Sequence, residues 1–278
     1  MITTTTARFV TWNLWLRFQN WELRRKAIAA TLEGLAPDVV MLQEVWRVGD
    51  TSLADELGGI LGMEHTYTHC STNSGLGVYG ADADGTAVDA GNAILSRWPI
   101  VASEESELPG PSMAEGWRRC VSMAEIAGPR GPIQVFNTHL SHGYADSALR
   151  QDQVRHIARF IRDRGVDGFP PVLAGDFNAD PACDEVRMLT GRTTTALPRL
   201  MLHDAWDMAG EGRGHTWSND NPLSVDSLAP ARRIDYLLVG TPRRGGAGHP
   251  VRAQLGGTDP VDGVQPSDHY AVVADLRY

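Results

Sequence analysis

The seven residues Val172-Leu173-Ala174-Gly175-Asp176-Phe177-Asn178 decide how this chain folds. The apolar run at 172–174 predicts a short buried strand, and polar side chains follow it at once. Asp176 and Asn178 are two positions apart, so they lie on the same side of an extended segment. This stretch therefore predicts a strand whose end carries a carboxylate and an amide side by side.

Five other segments have the same character, because in each a hydrophobic strand candidate adjoins a carboxylate, an amide or an imidazole. They are Thr11-Trp12-Asn13, Leu42-Gln43-Glu44, Asn137-Thr138-His139, Arg233-Ile234-Asp235-Tyr236 and Ser267-Asp268-His269. A single Asp, Asn or His of this kind is more often a turn, cap or core residue. All six together predict a rim where several carboxylates share a small volume, and such a cluster requires a cation.

Oxygen donors dominate this predicted cluster, which has few imidazoles and no cysteine. Carboxylate and amide oxygens suit a hard cation such as Mg²⁺ or Mn²⁺ better than Zn²⁺. Magnesium keeps several of its waters and takes only one or two protein carboxylates, so positions stay open for phosphate oxygens. The sequence therefore predicts Mg²⁺ as the cofactor, with Mn²⁺ as the alternative.

Short runs rich in Val, Ile and Leu alternate with helical patterns, which is typical of an α/β or layered α+β fold. The strand candidates are Arg8–Trp12, Val39–Gln43, Asn92–Leu95, Cys120–Ile126, Ile133–Thr138, Val172–Ala174, Ile234–Val239 and Tyr270–Leu276. Helices are predicted from Trp21 to Leu35, after Asn20 as N-cap, and from Ser147 to Arg164, before a C-cap glycine. No linker divides these elements, so we expect one domain over residues 1–278.

Composition and charge exclude several classes of protein. Hydrophobic residues make up 42% and charged residues 21% of the chain, as in a globular domain. Apolar runs fall far short of the roughly 20 residues that span a bilayer, and the N-terminus lacks the features of a secretory signal. We therefore expect a cytoplasmic protein without an obligate protein partner. The net charge of −9 provides no general attraction to nucleic acid.

Other sequence features do not predict a separate site. Cys70, Cys120 and Cys183 are widely spaced, which favours buried or incidental thiols over a disulfide framework or a zinc cluster. A G-x-G-x-x-G pattern at 75–80 precedes no helix, and we interpret it as a loop rather than a dinucleotide site. The long loops at 210–231 and 242–263 are expected to be functional.

The order of the short motifs resembles a known family. Trp-Asn, Gln-Glu, Thr-His-Leu, Gly-Asp-Phe-Asn, Ile-Asp-Tyr and Ser-Asp-His follow one another as in the endonuclease/exonuclease/phosphatase superfamily, which includes DNase I-like nucleases, AP endonucleases and neutral sphingomyelinases. The resemblance covers nearly the whole chain. It implies a two-sheet β-sandwich flanked by helices, the DNase I-like four-layer sandwich, with the site at one rim between the sheets.

The resemblance also implies a role for each matching carboxylate or amide. Glu44 is similar to the principal metal ligand, and Asp268 resembles a second ligand, direct or through water. Asn13 would help to hold the metal shell or a phosphate oxygen. Asp176 and Asn178 would orient and deprotonate the attacking water.

The imidazoles have implied roles too. Asp235 resembles the partner that orients His269 and favours its charged form beside the phosphate, which is the logic of a carboxylate–imidazole pair. His139 resembles a second imidazole that donates to the phosphoryl oxygens as negative charge develops.

Two differences from the AP endonucleases weaken an assignment to that subfamily. Where AP endonucleases have an acidic residue two positions after the first Asn, this chain has Trp15, and His139 replaces their tyrosine. Arg118, Tyr144 and Trp217 are candidates for substrate contact, because Arg can bind phosphate bidentately and Trp can stack on a base. For Arg118 surface solvation is an equal alternative, and Trp217 could instead pin its own loop.

The sequence therefore predicts a Mg²⁺-dependent phosphoesterase of the phosphodiesterase or nuclease type, using in-line attack of a metal-activated water. A phosphomonoesterase acting on a small phosphorylated metabolite is the alternative within the enzyme class. A catalytically silent binding module of the same fold is the alternative outside it. The substrate, nucleic acid or small molecule, is left open, and the acidic balance leans mildly toward a small molecule.

Overall fold

The computed structural model describes residues 5–72, 87–111, 118–165, 168–225 and 229–278. Its strands are β1 Thr6–Asn13, β2 Val39–Val48, β3 Thr51–Ser52, β4 Glu64–Thr72, β5 Asp89–Ser96, β6 Ile100–Glu107, β7 Cys120–Gly128, β8 Gly131–His139, β9 Val172–Asp176, β10 Leu202–Asp204, β11 Asp235–Gly240, β12 Pro250–Gly256 and β13 Ala271–Arg277. Its helices are α1 Trp21–Leu35, α2 Leu53–Leu61, α3 Ser147–Arg164, α4 Asp184–Leu189 and α5 Ala205–Ala209.

Two mixed sheets form the centre of the molecule. The first has the order β12-β13-β1-β2-β5-β4, with β3 paired to β2, and the second has the order β10-β11-β9-β8-β7-β6. Each sheet contains one parallel pair at its centre, β1 with β2 and β8 with β9. The remaining pairs of both sheets are antiparallel.

Alternating side chains on the strands fill the space between the sheets. Phe9 and Met41 of the first sheet join Val135 and Leu237 of the second in one buried cluster. Val10, the residue after Phe9, belongs instead to a cluster on the outer face of the first sheet. This period of two is what a pleated strand with both faces covered requires.

Helices cover the two outer faces. Ile28 and Leu32 of α1 and Leu57 of α2 pack on the outside of the first sheet, while Val154 and Ile157 of α3 pack on the outside of the second. The result is the expected four-layer arrangement of helix, sheet, sheet and helix. The fold class predicted from the sequence is confirmed.

All eight predicted strands and both predicted helices are present, and the helices have the predicted bounds. Strand β6 was not predicted, because its sequence, IVASEESE, is mostly polar. It lies at the edge of its sheet with most of its side chains exposed. The expectation that 242–263 is only a loop is wrong, since β12 lies within it. The segment at 75–80 lies outside the described residues.

A buried polar network joins the two sheets beneath the rim. The Nε2 of Gln43 donates to Asn137 Oδ1 at 2.7 Å, and Asn137 Nδ2 donates to the backbone oxygens of Leu42 and Ala93 at 2.8 and 2.9 Å. Both side chains are fully buried. Because a buried amide is costly unless its groups are paired, this network fixes how β8 sits against β2.

Candidate active site

The strand directions bring the six predicted segments to one rim. The parallel pairs β1–β2 and β8–β9 end there, and β11 and β13, which run antiparallel to them, begin there. Asp176 faces His139 across one side of its strand and Asp235 across the other. The side chains gathered at this rim are Asn13, Glu44, His139, Asp176, Asn178, Asp235, Asp268 and His269.

A β-bulge in β2 turns Glu44 toward this rim. The register with β5 shifts between Leu42 and Val45, and Glu44 has a left-handed φ of 51°. Non-glycine residues rarely adopt this conformation, and surrounding contacts must compensate. One such contact is the Leu16 N–H, which donates to the Glu44 carbonyl oxygen at 3.1 Å.

Gly175 allows β9 to pass close to β8. Its φ is +147°, and a Cβ at this position would lie 1.9 Å from the Thr138 carbonyl oxygen. No side chain fits there, so glycine is required immediately before Asp176. Asn178 then turns the chain with a left-handed φ of 52°, and its N–H donates to Asp176 Oδ1 at 2.9 Å.

Asp176 is buried at the centre of the cluster. Its Oδ2 accepts a hydrogen bond from Asn13 Nδ2 at 3.1 Å and lies 3.4 Å from His139 Nε2 and 4.0 Å from His269 Nε2. Burial, together with the negative charge of Asp235, raises the pKa of Asp176 to about 6. A carboxylate with this pKa can exchange a proton near neutral pH.

Asp235 and His269 form a buried ion pair. The Nδ1 of His269 lies 2.9 Å from Asp235 Oδ2. Burial alone would lower the pKa of His269, but the charges of Asp235 and Asp268 raise it well above the ordinary value. The imidazole is therefore charged at neutral pH, and its Nε2 faces Asp176.

His139 has the opposite charge state although it lines the same cavity. Burial and the positive charges of Arg119, His269 and His142 lower its pKa well below the ordinary value. The site thus contains one neutral and one charged imidazole, both directed at Asp176 Oδ2.

Asn13 joins two of the carboxylates. Its Nδ2 donates to Glu44 Oε1 and to Asp176 Oδ2, each at 3.1 Å, while its Oδ1 accepts from the Trp15 N–H at 3.0 Å. The backbone donor determines which end of the amide is oxygen. The Asn13 oxygen is therefore turned to the backbone, and its nitrogen orients Glu44. That Asn13 helps to hold the metal shell or a phosphate oxygen stays a prediction.

Glu44 and Asp268 have the donor atoms that a hard cation prefers. Both carboxylates are partly exposed and line the cavity. Burial and the charge of Glu44 raise the pKa of Asp268 to about 6, and burial and the charge of Asp176 raise the pKa of Glu44. Carboxylates that destabilise one another at the wall of an open cavity fit a divalent cation, which would relieve their repulsion.

Asp176, Asp235 and His269 also place one potential ligand atom each within 4.8 Å of the others. His269 Nδ1 already pairs with Asp235, however, and a protonated imidazole cannot act as a ligand. Asp235 is fully buried, with its Oδ1 lacking a hydrogen-bond partner among the described residues. We interpret this group as an ion pair rather than a metal centre.

The cavity in front of these groups has a volume of about 330 Å³. One wall carries Trp15, Leu16 and Phe18 from the loop after β1. The lining also includes basic side chains, among them Arg119, whose Nη2 lies 3.4 Å from His142 Nδ1. The cavity is therefore lined by both aromatic and basic groups.

The three predicted substrate residues have different positions. Arg118 lines the cavity, but its guanidinium donates to the His69 carbonyl oxygen and pairs with Glu105. Tyr144 is 71% exposed and lies outside the described cavity lining, because its ring packs against Arg232. Trp217 lies outside that lining too. Its backbone forms β-bridges with Arg232 and with His269.

Sequence reasoning did not identify Arg24, which anchors the aromatic wall. This buried side chain donates hydrogen bonds to five backbone carbonyls, those of Leu14, Trp15, Leu16, Phe18 and Pro266. A signal was available: Arg24 lies four positions before Ile28 and eight before Leu32, on the apolar face of α1. A charged residue on that face must have buried partners.

The family model "Endonuclease/Exonuclease/phosphatase family" matches residues 10–269, which include every rim residue. This chain belongs to that family. Members of the family are phosphoesterase hydrolases that generally use a divalent metal. The predicted resemblance is confirmed, as is the DNase I-like fold.

The individual proteins that match this chain have low sequence identity to it. The chain is 28% identical to the inositol phosphosphingolipids phospholipase C of Schizosaccharomyces pombe, over 83% of this chain and 59% of that protein, so it spans less than two thirds of its relative. An endonuclease/exonuclease/phosphatase structure from Beutenbergia cavernae matches with a TM-score of 0.70 and 24% identity, over 98% of this chain and 71% of that one.

The structure of D. rerio TDP2 complexed with a single-strand DNA product matches with a TM-score of 0.75 and 19% identity. The match covers 99% of this chain and 100% of that one. At this identity the likeness establishes the fold alone. Among the described residues of this chain, no helix has the length and apolar character needed to cross a membrane.

Proposed function

We propose that this chain is a phosphodiesterase dependent on a divalent cation, with Mg²⁺ expected and Mn²⁺ as the alternative. We also propose that residues 1–278 form one catalytic domain that acts in the cytoplasm. One observation carries the proposal. The Asp176 carboxylate is held by Asn13 and Asn178 between the imidazoles of His139 and His269, at a cavity that Glu44 and Asp268 also line.

Asp176 is the proposed base. Its Oδ1 accepts from the Asn178 N–H, whereas Oδ2, which accepts from Asn13, is the oxygen on the side of the two imidazoles. We therefore assign the proton of the attacking water to Oδ2. Its pKa of about 6 matches this task, because it is deprotonated at neutral pH yet basic enough to accept a proton in the transition state. Asn178 keeps the carboxylate in this orientation.

His269 and His139 are the proposed donors to the phosphoryl oxygens. His269 brings a positive charge that Asp235 stabilises, and the neutral His139 donates one N–H without adding charge. Such preorganised donors contribute where negative charge develops in the transition state, commonly about 3–4 kcal/mol for a single donor. Asp235 acts through His269 and is a positioning residue.

Glu44 and Asp268 are the residues that would hold the cation. When bound, the cation would lower the pKa of water and neutralise part of the phosphate charge. Asn13 orients Glu44 through its hydrogen bond at 3.1 Å. Proton transfer from the water and donation to the phosphoryl oxygens are assigned to Asp176, His139 and His269.

The shape and charge of the cavity favour a diester over a monoester. A diester has ester groups on two sides of the phosphorus, and the cavity lining includes the aromatic side chains of Trp15 and Phe18 as well as Arg119. The dianion of a monoester would need more positive charge, yet the Arg118 guanidinium is paired with Glu105. The fission yeast relative is named as a phospholipase C, a class that cleaves phosphodiesters.

Hydrolysis of bis-p-nitrophenyl phosphate tests this proposal. We expect turnover with Mg²⁺ or Mn²⁺, loss of turnover with EDTA, and a fall of about 100-fold or more in Asp176→Asn and His269→Ala. Asp152→Asn, an exposed aspartate paired with Arg155 on α3, is the control and should keep full activity. Full metal-dependent activity in Asp176→Asn would refute the mechanism, and no turnover with any metal would favour a silent binding module.

A substrate panel then separates nucleic acids from small molecules. It would include single- and double-stranded DNA, RNA, nucleotides and phospholipid headgroups, each with its monoester counterpart. The net charge of −9 favours a small or locally bound substrate over a long polyanion. Faster cleavage of the monoesters would contradict the proposed preference for diesters.

A further inference from the structure

Two cysteines meet at the wall of the cavity. Cys70 belongs to β4, the edge strand of the first sheet, and Cys120 is the first residue of β7 in the second sheet. Their sulfur atoms lie 2.9 Å apart, although the residues are 50 positions apart in sequence. Both line the cavity, where Cys70 is partly exposed and Cys120 is buried.

The local backbone produces this approach. The pairing of β4 with β5 shifts register between His69 and Ser71, so Cys70 is the extra residue of a β-bulge. Its carbonyl oxygen accepts from the Arg118 N–H at 2.8 Å, which ties the bulge to the segment that enters β7. The Cys120 carbonyl oxygen accepts from Thr138 Oγ1 at 3.1 Å. Both backbones are therefore held while their sulfurs face each other.

The surroundings activate one thiol of the pair. The hydrogen bond from Cys120 and the positive charges of Arg119 and Arg118 lower the pKa of Cys70, and the same contact with burial raises the pKa of Cys120. A thiolate is the nucleophile in sulfur chemistry, and reactive cysteines lie in partly exposed, electropositive surroundings. Cys70 meets both conditions, and Cys120 is placed as its resolving partner.

We propose that Cys70 and Cys120 are an oxidant-sensitive dithiol that a peroxide converts into a disulfide joining the two sheets beside the active-site cavity. The Cys70 thiolate attacks one oxygen of hydrogen peroxide, the O–O bond breaks, and sulfenic acid and hydroxide form; the hydroxide takes a proton to give water. The Cys120 sulfur then attacks the sulfenic sulfur, the S–O bond breaks, and the departing hydroxyl group takes the proton of the Cys120 thiol and leaves as a second water. Two thiols lose two electrons, and one peroxide becomes two waters.

Little movement is needed to form the bond. A disulfide has an S–S length of about 2.0 Å, so the sulfurs, now 2.9 Å apart, approach by roughly 1 Å. The new link would close a long loop between two different sheets. Such a link reduces the freedom of the unfolded chain, and we expect the melting temperature to rise by roughly 5 °C or more.

Thiol counting tests the dithiol independently of any catalytic activity. The chain has three cysteines, so peroxide treatment followed by titration under denaturing conditions should leave one thiol in the wild type and two in Cys70→Ser. In Cys120→Ser the Cys70 sulfenic acid has no resolving thiol, so one thiol should remain and no cross-link should form. Cys183→Ser is the matched control: it should lose both remaining thiols, and dithiothreitol should restore them. Digestion of the oxidised wild type should yield one cross-linked peptide joining Cys70 to Cys120.

Other outcomes would overturn the proposal. An unchanged thiol count in the treated wild type would refute it. So would a cross-link that involves Cys183, or a disulfide between two chains on a non-reducing gel. Peptide mapping uses the wild type alone, so it decides the question even if a serine variant fails to fold.

Discussion

The buried guanidinium of Arg24 should be needed for both stability and the shape of the aromatic wall. It donates to carbonyl oxygens of Leu14, Leu16 and Pro266 in the interior, at 3.0, 2.8 and 3.0 Å, and to those of two further residues nearer the surface. Burial lowers its pKa to about 10, so it is still charged at neutral pH. Arg24→Lys keeps the charge but replaces a planar five-donor group with three donors.

The size of the effect follows from the acceptors left over. With three donors at most, lysine leaves at least two of the five carbonyls without a side-chain donor. One of these can be the Trp15 carbonyl, which also accepts from the Phe18 N–H at 3.4 Å, so at least one carbonyl loses its partner. A buried polar group that loses its hydrogen bond costs about 1–3 kcal/mol. We therefore expect Arg24→Lys to lower the free energy of unfolding by about 1–3 kcal/mol, a substantial part of the stability of a typical domain.

Urea unfolding with Arg25→Lys as control would measure this loss. Arg25 is next in sequence, but it makes a half-exposed ion pair with Glu56, which contributes at most about 1 kcal/mol. At a temperature where both variants are folded, Arg24→Lys should also have the lower kcat/KM, because Arg24 holds the loop after β1, whose Trp15 and Phe18 line the cavity. A loss within about 0.5 kcal/mol of the control would refute the reasoning.

Three further outcomes are expected. Gly175→Ala should yield little soluble protein, because the new Cβ would lie 1.9 Å from a backbone oxygen. The control Gly34→Ala, in open space on α1, should be neutral or stabilising by up to about 1 kcal/mol. Comparable yields of soluble protein from the two variants would contradict this expectation. Asp235→Asn should shift the alkaline limb of the pH–rate profile to lower pH, because His269 loses the negative charge that raises its pKa. An alkaline limb at the same pH in both proteins would contradict the proposed coupling of Asp235 to His269. Since the pKa of Asp268 is raised to about 6, its carboxyl group in the folded metal-free protein keeps a proton that the unfolded chain releases, so the stability that this group contributes is lost as pH rises from about 4 to 6. Mg²⁺, which needs the ionised carboxylate, should therefore raise the melting temperature more at pH 7.5 than at pH 5, and equal shifts would argue against a cation at this position.

Sequence alone predicts the parts of the fold in which burial shapes composition. The central strands, such as β9, are covered on both faces and read as short apolar runs, so the pattern identifies them. Edge strands such as β6 and β12 expose many side chains and carry no such run. Their place is decided by backbone pairing with a neighbour that is distant in sequence, which local composition does not record.

The site residues that the sequence predicts are those that adjoin central strands. Glu44, Asp176 and His269 adjoin central strands, and two parallel pairs bring those strand ends to one rim. Arg24 lies within a helix, and its carbonyl partners come from two separate loops. Cys70 meets its partner through a β-bulge on an edge strand, so the spacing of the cysteines contains no sign of the contact.

The two imidazoles explain how one cavity can offer two kinds of donor. Both lie within 4.0 Å of Asp176 Oδ2, so the difference between them comes from what lies behind each ring. His269 is backed by Asp235, a buried carboxylate that stabilises the charged form. His139 is buried and lies near positive groups, among them Arg119, and both effects favour its neutral form. Environments that push the pKa values of two like groups apart assign them different tasks. Because charging both rings would place two cations beside Asp176 and lower its basicity, a neutral His139 is what allows that carboxylate to act as the proposed base.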